Sequence, residues 1–151
     1  MRIRIEINNK SESPVKEDFF LNVAERTIQE SGYGSLEGKN ISISLALVDE
    51  DEIRELNRKY RKKDSSTDIL SFCEYENKDQ LESSSEKDLF LGELVLCYND
   101  IKKYAERQKL GLEKELAEVF SHGVLHLLCF GHGEEMFATQ KRVAEKIFPD
   151  K

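Results

Sequence analysis

The chain has 151 residues, of which 38% are hydrophobic and 35% charged, and this size and composition are typical of one soluble globular domain. No apolar run approaches the roughly 20 residues of a membrane span, and the first residues lack the apolar stretch of a signal peptide, so we expect a cytoplasmic protein with no membrane partner. The net charge of −7 argues against a general nucleic-acid binder. The cysteines Cys73, Cys97 and Cys129 are odd in number and far apart, which predicts reduced, buried thiols with no disulfide partner.

The first third of the chain predicts two strands around a helix. Residues 2–8 alternate polar residues with isoleucines and predict a strand. Ser13 followed by a proline predicts the N-cap of a helix that runs to position 31. Residues 41–48 predict the second strand, and Asp49 with a glutamate three residues later has the capping-box pattern of a further helix.

The middle of the chain predicts a hairpin with a long connection. Residues 67–73 and 89–97 have the apolar content of strands, and they pair most simply with each other. Residues 76–88 contain a single apolar side chain, Leu81, so we expect a flexible, solvated excursion there.

The last third predicts helices. Asn99 or Asp100 caps the first of them, and the helix from Leu112 becomes apolar nearly all round after position 124, as a buried central helix does. Residues 134–148 predict the last helix. The expected inward positions of the first and last helices are Ile101, Tyr104, Ala105, Phe137, Val143, Ala144 and Ile147. The sequence therefore predicts one α/β (α+β) domain over residues 1–151, a small four-stranded mixed sheet covered by about five helices.

All three histidines fall within residues 122–132. His122 and His126 lie four residues apart, which places their side chains on one face of a helix. A continuing helix would rotate position 132 off that face, so the chain must bend first, and Gly131 offers a place because it can adopt a positive φ. Three neutral imidazoles leave a tetrahedral zinc ion one open position, as in catalytic sites. The stretch therefore predicts a catalytic metal site held by His122, His126 and His132.

The same histidine spacing occurs in the zinc peptidase motif HExxHxxGxxH. Those peptidases use the glutamate after the first histidine as their general base, and here that position is Gly123, so peptide hydrolysis by that mechanism is not expected. Glycine inside a helix costs about 1 kcal/mol relative to alanine, so Gly123 indicates a need for room or close approach. A metal site can still promote attack on a phosphodiester if a cation stabilises the developing charge.

Three segments resemble the YbeY family of metal-dependent endoribonucleases, which act in rRNA maturation. Residues 122–132 are similar to the family signature HGxxHLxGYDH. Residues 56–61 with residues 67–72 resemble LNxxyR followed by TDVLSF, and residues 91–95 resemble LGDIV. Chain length and the order of the elements also agree, so the resemblance covers essentially the whole chain.

The resemblance implies a zinc-dependent endoribonuclease with a zincin-like metal helix, specific for single-stranded RNA, acting in rRNA processing and ribosome maturation. It implies one Zn²⁺ ion per chain bound by the three histidines, with Arg61 and His122 as catalytic residues. The expected partners are precursor rRNA and a ribosomal subunit. Candidate substrate-binding residues are Arg58, Lys62, Lys63, Thr67, Asp68 and Ser71. The alternative interpretation of the cations is a solvated helix end, and that of Asp68 is a turn residue.

The chain departs from the family pattern at several positions. Cys129 stands where the family has glycine, Gly131 where it has aspartate, Cys73 where proline often follows the strand, and Glu93 where aspartate is usual. Loss of the aspartate before His132 removes a hydrogen-bond partner for a metal ligand, which predicts weaker metal affinity. Cys129 is either a surplus thiolate ligand or a buried structural cysteine.

Two other functions fit the residues. One is a metal-dependent hydrolase that acts on another phosphoester or on an amide, and it predicts no affinity for RNA. The other is a non-catalytic, ribosome-associated protein with a structural zinc ion, which requires a fourth protein ligand. Cys129 is the one candidate for that ligand within the histidine stretch.

Overall fold

The computed structural model describes residues 1–149, and residues 150 and 151 of the predicted domain lie outside them. The described chain forms one α+β domain, as the sequence predicted. Its elements are, in order, β1 (Arg2–Asn9), α1 (Glu17–Glu30), a short 3-10 helix (Gly34–Leu36), β2 (Asn40–Leu47), α2 (Glu50–Arg61), β3 (Ile69–Cys73), α3 (Lys78–Glu82), β4 (Asp88–Leu96), α4 (Tyr98–Gln108), α5 (Leu112–Leu127) and α6 (Glu134–Ile147).

The four strands form one mixed sheet in the order β1-β2-β4-β3. β1 pairs with β2 and β2 with β4 in parallel, whereas β3 and β4 are antiparallel. The predicted mixed sheet and the long-looped hairpin are therefore confirmed. Gly92 lies at a register shift between β2 and β4, with φ at +138°, where a Cβ atom would lie 2.3 Å from the Phe72 carbonyl oxygen. Only glycine fits this close approach.

Each face of the sheet carries an apolar cluster. In β2 the odd-numbered residues 41–47 are buried with α1, α5 and α6 in the main core, which follows from the period of two along a strand. The smaller cluster on the other face is covered by Ile53 of α2 and includes Leu70 and Val95. β3 and β4 are thus held from both sides.

Helix α5 is the centre of the packing, as its apolar sequence predicted. It contacts α1, α4, α6, β3 and β4, and its C-terminal half is buried nearly all round. A buried hydrogen bond of 2.8 Å joins the hydroxyls of Thr27 and Ser121 between α1 and α5. Within residues 1–149, every helix is too short or too polar to cross a membrane.

Two predicted helix caps were wrong. Helix α1 begins at Glu17 after Lys16, not at Ser13. The side chain of Asn9 bonds both the backbone N–H and the carbonyl of Ser13, which holds Ser13 in the loop. Helix α4 begins at Tyr98, before Asn99 and Asp100, and has no side-chain cap. By contrast, Asp49 caps α2 as predicted, accepting from the backbone N–H of Glu52 at 2.8 Å.

The excursion at residues 76–88 is more ordered than predicted. Asn77 caps the short helix α3 by accepting from the backbone N–H of Gln80 at 2.8 Å. Leu81 is 1% exposed and belongs to the main core. This burial explains why α3 forms in addition to the five helices that the sequence predicted, because one apolar side chain is enough to anchor a single helical turn against the domain.

Three residues expected to be buried are exposed. Tyr104 and Phe137 are 42% and 45% exposed, so neither belongs to the core of its helix. Cys73 is also exposed, while Cys97 is buried and Cys129 is partly buried. Tyr104 and Phe137 instead lie at the edge of a cleft beside the histidines.

Candidate metal centre

Helix α5 reaches the sheet closely because of Gly123. A Cβ atom at this position would lie 2.5 Å from Cδ1 of Ile69 in β3 and 3.1 Å from Cδ2 of Leu94 in β4. A larger residue would push the helix away from both strands. The sequence prediction that Gly123 serves a close approach is confirmed, and the approach brings His122 and His126 next to β3.

The chain turns sharply after α5 and returns toward the histidines. The backbone N–H of Phe130 bonds the carbonyl of Leu125 at 3.0 Å, and that of Cys129 bonds the carbonyl of His126 at 2.9 Å. This pair is the Schellman arrangement that ends many helices. The left-handed residue in it is Cys129, with φ at 67°, so the predicted bend exists but its placement at Gly131 was wrong.

The three histidine rings converge in front of the turn. The Nε2 atoms of His122 and His126 are 3.1 Å apart. The centroid of the His132 ring lies 4.5 Å from that of His126 and 5.3 Å from that of His122. One ligand atom from each ring lies within 4.8 Å of the others, and within residues 1–149 this is the one group of histidine, cysteine and acidic side chains so arranged. The geometry fits a metal ion bound by three imidazoles.

Burial favours the neutral form of His126. Burial, followed by the neighbouring rings of His122 and His132, lowers the pKa of His126 from 6.5 to about 4. A neutral imidazole is the form that binds a metal. Nδ1 of His122 lies 2.7 Å from Oε1 of Gln140 in α6, so this ring is held from behind. The side chains present therefore fit the zinc ion that the sequence predicted.

Cys129 stands apart from the cluster. Its Sγ lies 3.5 Å from the carbonyl oxygen of Tyr75 and 4.0 Å from that of Leu127, and it contributes no atom to the histidine group. Cys73 directs its thiol to the carbonyl oxygen of His126 at 3.2 Å. Burial raises the pKa of both thiols, which favours the protonated form. Neither sulfur is placed as a fourth ligand.

The histidines form one side of a cleft of about 410 Å³. We call His122, His126, His132 and Gln140 the histidine wall. We call the predicted site residues that line the cleft at the end of α2, before β3 and within β3 the arginine wall: Arg61, Thr67, Asp68 and Ser71. All four residues of the arginine wall were predicted site residues.

Three predicted substrate-binding residues do not line this cleft. Arg58 forms an ion pair with Glu55 one turn earlier on α2. Lys62 and Lys63 follow the helix as exposed residues, and Lys62 caps it in the left-handed conformation, with φ at 58°. Their contact with a substrate that extends beyond the cleft stays a prediction.

Sequence reasoning missed several residues of the cleft. Glu115 and Glu118 precede His122 and His126 on the same stripe of α5, spaced three or four residues apart, so the helical period could have found them. Burial, and then Glu118 and Asp68, raise the pKa of the Glu115 carboxyl. The other cleft residues that sequence reasoning did not identify are Ile69, Ile101, Tyr104, Val119, Phe137 and Gln140.

Known proteins resemble the chain over nearly its whole length. The family model described as endoribonuclease YbeY matches residues 6–148. Proteins named endoribonuclease YbeY from Symbiobacterium thermophilum and a Sulfurihydrogenibium species are each 33% identical; the first alignment covers 86% of this chain and 85% of its relative, the second 95% and 92%. The solution structure of TM1509 from Thermotoga maritima is 30% identical, with a TM-score of 0.64, covering 97% of this chain and 89% of that one. The chain therefore belongs to the YbeY family of endoribonucleases.

Proposed function

We propose that this protein is a zinc-dependent endoribonuclease that cleaves single-stranded RNA during rRNA processing and ribosome maturation in the cytoplasm. Its expected partners are precursor rRNA and a ribosomal subunit. The observation that carries the proposal is the convergence of three imidazoles in a cleft that Arg61 also lines. Membership of the endoribonuclease family supports the substrate class.

The two walls supply different parts of the reaction. His122, His126 and His132 would hold the zinc ion, which would supply Lewis acidity for attack on the phosphodiester. The Arg61 guanidinium stays charged and can donate two parallel hydrogen bonds to phosphate oxygens. It orients the scissile phosphodiester and stabilises the negative charge that develops there.

The carboxyl groups of the cleft are the candidates for proton transfer. Gly123 leaves no side chain where the related peptidases have their base. Glu115 lines the same cleft, and burial, followed by Glu118 and Asp68, raises the pKa of its carboxyl above the usual value, which favours uptake of a proton. We assign Glu115 the role of carrying a proton between water and the RNA oxygens.

The charge of the cleft favours a substrate bound by few phosphate contacts. Asp68, Glu115 and Glu118 make its lining acidic, so an RNA backbone gains attraction near Arg61 and the exposed Lys62 and Lys63. Each such contact releases counterions, so binding should weaken with salt, with the shallow slope that a small number of contacts gives.

The direct test is cleavage of an end-labelled single-stranded RNA by zinc-loaded protein, with and without a chelator. The wild-type protein should cut the single strand and spare a duplex of the same sequence, and both the chelator and His126→Ala should abolish cleavage. Gly131→Ala is the control, because a Cβ atom there meets no heavy atom within 4 Å. Cleavage that survives both treatments would refute the proposal, as would hydrolysis of small phosphoesters with no RNA cleavage or RNA affinity.

A further inference from the structure

A partly buried chain of hydrogen bonds runs from Glu118 of α5 to Gln140 of α6 and back to His122 of the histidine cluster. Oε1 of Gln140 lies 2.7 Å from Nδ1 of His122, and Nε2 of Gln140 lies 3.2 Å from Oε1 of Glu118. Gln140 is 8% exposed, so its amide depends on these partners for its hydrogen bonds. Glu118 and His122 are one helical turn apart on α5, and Gln140 bridges them from the neighbouring helix.

The carboxylate of Glu118 determines which way the Gln140 amide faces. An ionised carboxylate only accepts hydrogen bonds, so the group facing it must be the NH₂ of the amide. The amide oxygen then faces His122 and can only accept. Nδ1 of His122 therefore carries a proton, and this N–H group donates a hydrogen bond to Oε1 of Gln140.

Protonation at Nδ1 leaves Nε2 of His122 with a free lone pair when the ring is neutral. Nε2 is also the atom that faces His126, at 3.1 Å, so the lone pair is directed into the cluster. A ring with the opposite tautomer would present an N–H group there and could not bind a metal through that atom. The chain of contacts thus prepares His122 as a ligand.

We propose that Gln140 is a positioning residue for the metal site, which fixes the tautomer and the ring orientation of His122, and that Glu118 acts through Gln140. This inference rests on the proposed zinc site and adds residues that the sequence motif does not contain. Hydrogen-bond partners of this kind orient metal-bound histidines, and their loss typically lowers metal affinity by about 10- to 100-fold. Gln140 lies outside the stretch 122–132. It therefore supports a metal-binding histidine in a chain that has Gly131 in place of the family's aspartate before His132.

The test compares Zn²⁺ affinity across variants by competition with a chromophoric chelator. Gln140→Leu removes the acceptor at similar volume and should weaken Zn²⁺ binding by about 10- to 100-fold. Glu118→Leu leaves the amide free to turn and should weaken it less. The exchange variant combines Gln140→Glu with Glu118→Gln. The new carboxylate at position 140 accepts from Nδ1 of His122, and the new amide at position 118 donates to that carboxylate. The Zn²⁺ affinity of this variant should therefore recover toward that of the wild type.

The control is Thr139→Val in the same helix. Thr139 is 3% exposed and donates to the carbonyl of Glu135 at 2.7 Å, so its loss perturbs α6 to a similar extent without touching a histidine. Zn²⁺ affinity should not change in this variant. The tautomer gives a second readout: nitrogen NMR of the metal-free wild type should show His122 protonated at Nδ1, and Gln140→Leu should lose that preference.

Two results separate the failure of this inference from the failure of the proposed function. If the wild-type protein binds no Zn²⁺, both are wrong. If the wild type binds Zn²⁺ and Gln140→Leu binds it equally well, or loses no more affinity than Thr139→Val, the positioning role of Gln140 is refuted while the zinc site stands.

Discussion

The two walls of the cleft differ in how firmly their side chains are held. In the histidine wall, α5 is locked against β3 and β4 through Gly123, the turn at Cys129 is closed by backbone hydrogen bonds, and His122 is held by Gln140. In the arginine wall, Arg61 is an exposed residue at the end of α2. The structure thus holds His122 and His126, two of the proposed metal ligands, in place in advance and leaves Arg61, the proposed phosphate contact, free to be ordered by a substrate.

The largest expected effect is a loss of RNA cleavage without a loss of Zn²⁺ binding, which would separate the roles of the two walls. Arg61→Ala should lower kcat/KM for RNA cleavage by about 10²- to 10³-fold, the usual loss when one donor to a developing charge is removed. Its Zn²⁺ affinity should equal that of the wild type, because the histidine wall does not need Arg61 to hold its rings. Arg54→Ala, which removes a cation of the same helix that pairs with Asp64 outside the cleft, is the matched control. Loss of bound zinc in Arg61→Ala would contradict this division.

Enlarging Gly123 should damage the histidine wall through packing. Gly123→Val places atoms into the space of Ile69 and Leu94, and overpacking of this kind costs about 1–3 kcal/mol in the free energy of unfolding. Urea denaturation of the metal-free protein measures it. Gly34→Ala, in the short 3-10 helix, meets no heavy atom within 4 Å and should stay within a few tenths of a kcal/mol of the wild type, about the usual spread for such sites. Equal stability of the two variants would show that α5 has room to move.

The stability contributed by the ion pairs between α1 and α6 should depend on pH. Lys146 and Arg142 of α6 bond Glu30 of α1 and lower the pKa of its carboxyl below the usual 4.5. A lowered folded-state pKa gives stability that is present above the unfolded pKa and is lost as the pH falls through the folded pKa. Glu30→Gln should therefore destabilise the protein by about 1 kcal/mol at pH 7, with a difference that shrinks as the pH falls below 4.5 toward the folded-state pKa. A pH-independent difference in urea denaturation would contradict the role of the charge.

The smallest effect concerns the turn after α5. Cys129 has a positive φ, which favours glycine by about 1 kcal/mol, and its thiol makes only long contacts with carbonyl oxygens. Cys129→Gly should therefore raise the free energy of unfolding by roughly 0.5 kcal/mol, with Zn²⁺ affinity retained. Gly131→Ala should change little. If Gly131→Ala were the more damaging of the two, the bend would lie where the sequence alone suggested.

Much of the fold and the metal ligands followed from sequence patterns. The alternation in β2 and the apolar end of α5 each reflect a face that is buried over its whole length, so the pattern is strong. Leu81 was missed because one apolar residue in a polar run produces no period, although it docks α3. Ser13 has the sequence pattern of a helix cap, but the Asn9 side chain forms hydrogen bonds with its backbone and holds it in the loop. The cap pattern, a serine followed by a proline, does not include this contact.

The cleft residues divide in the same way. The histidines were identified because residue type and spacing together indicate a metal. Glu115 and Glu118 share the stripe of α5 that carries the histidines, so the helical period could have identified them, but only the approach of β3 and α6 encloses that stripe as a cleft. Gln140 comes from another helix, so its contact with His122 depends on tertiary packing alone.

The most direct measurement of the central claim is X-ray absorption at the zinc edge of the zinc-loaded protein in solution. The account predicts one zinc ion per chain with three imidazole nitrogens at about 2.0–2.1 Å, a further light atom, and no sulfur. A zinc–sulfur distance of about 2.3 Å would assign Cys129 or Cys73 as a fourth protein ligand and make the ion structural. That result, or the absence of imidazole scattering, would contradict the catalytic site proposed for His122, His126 and His132.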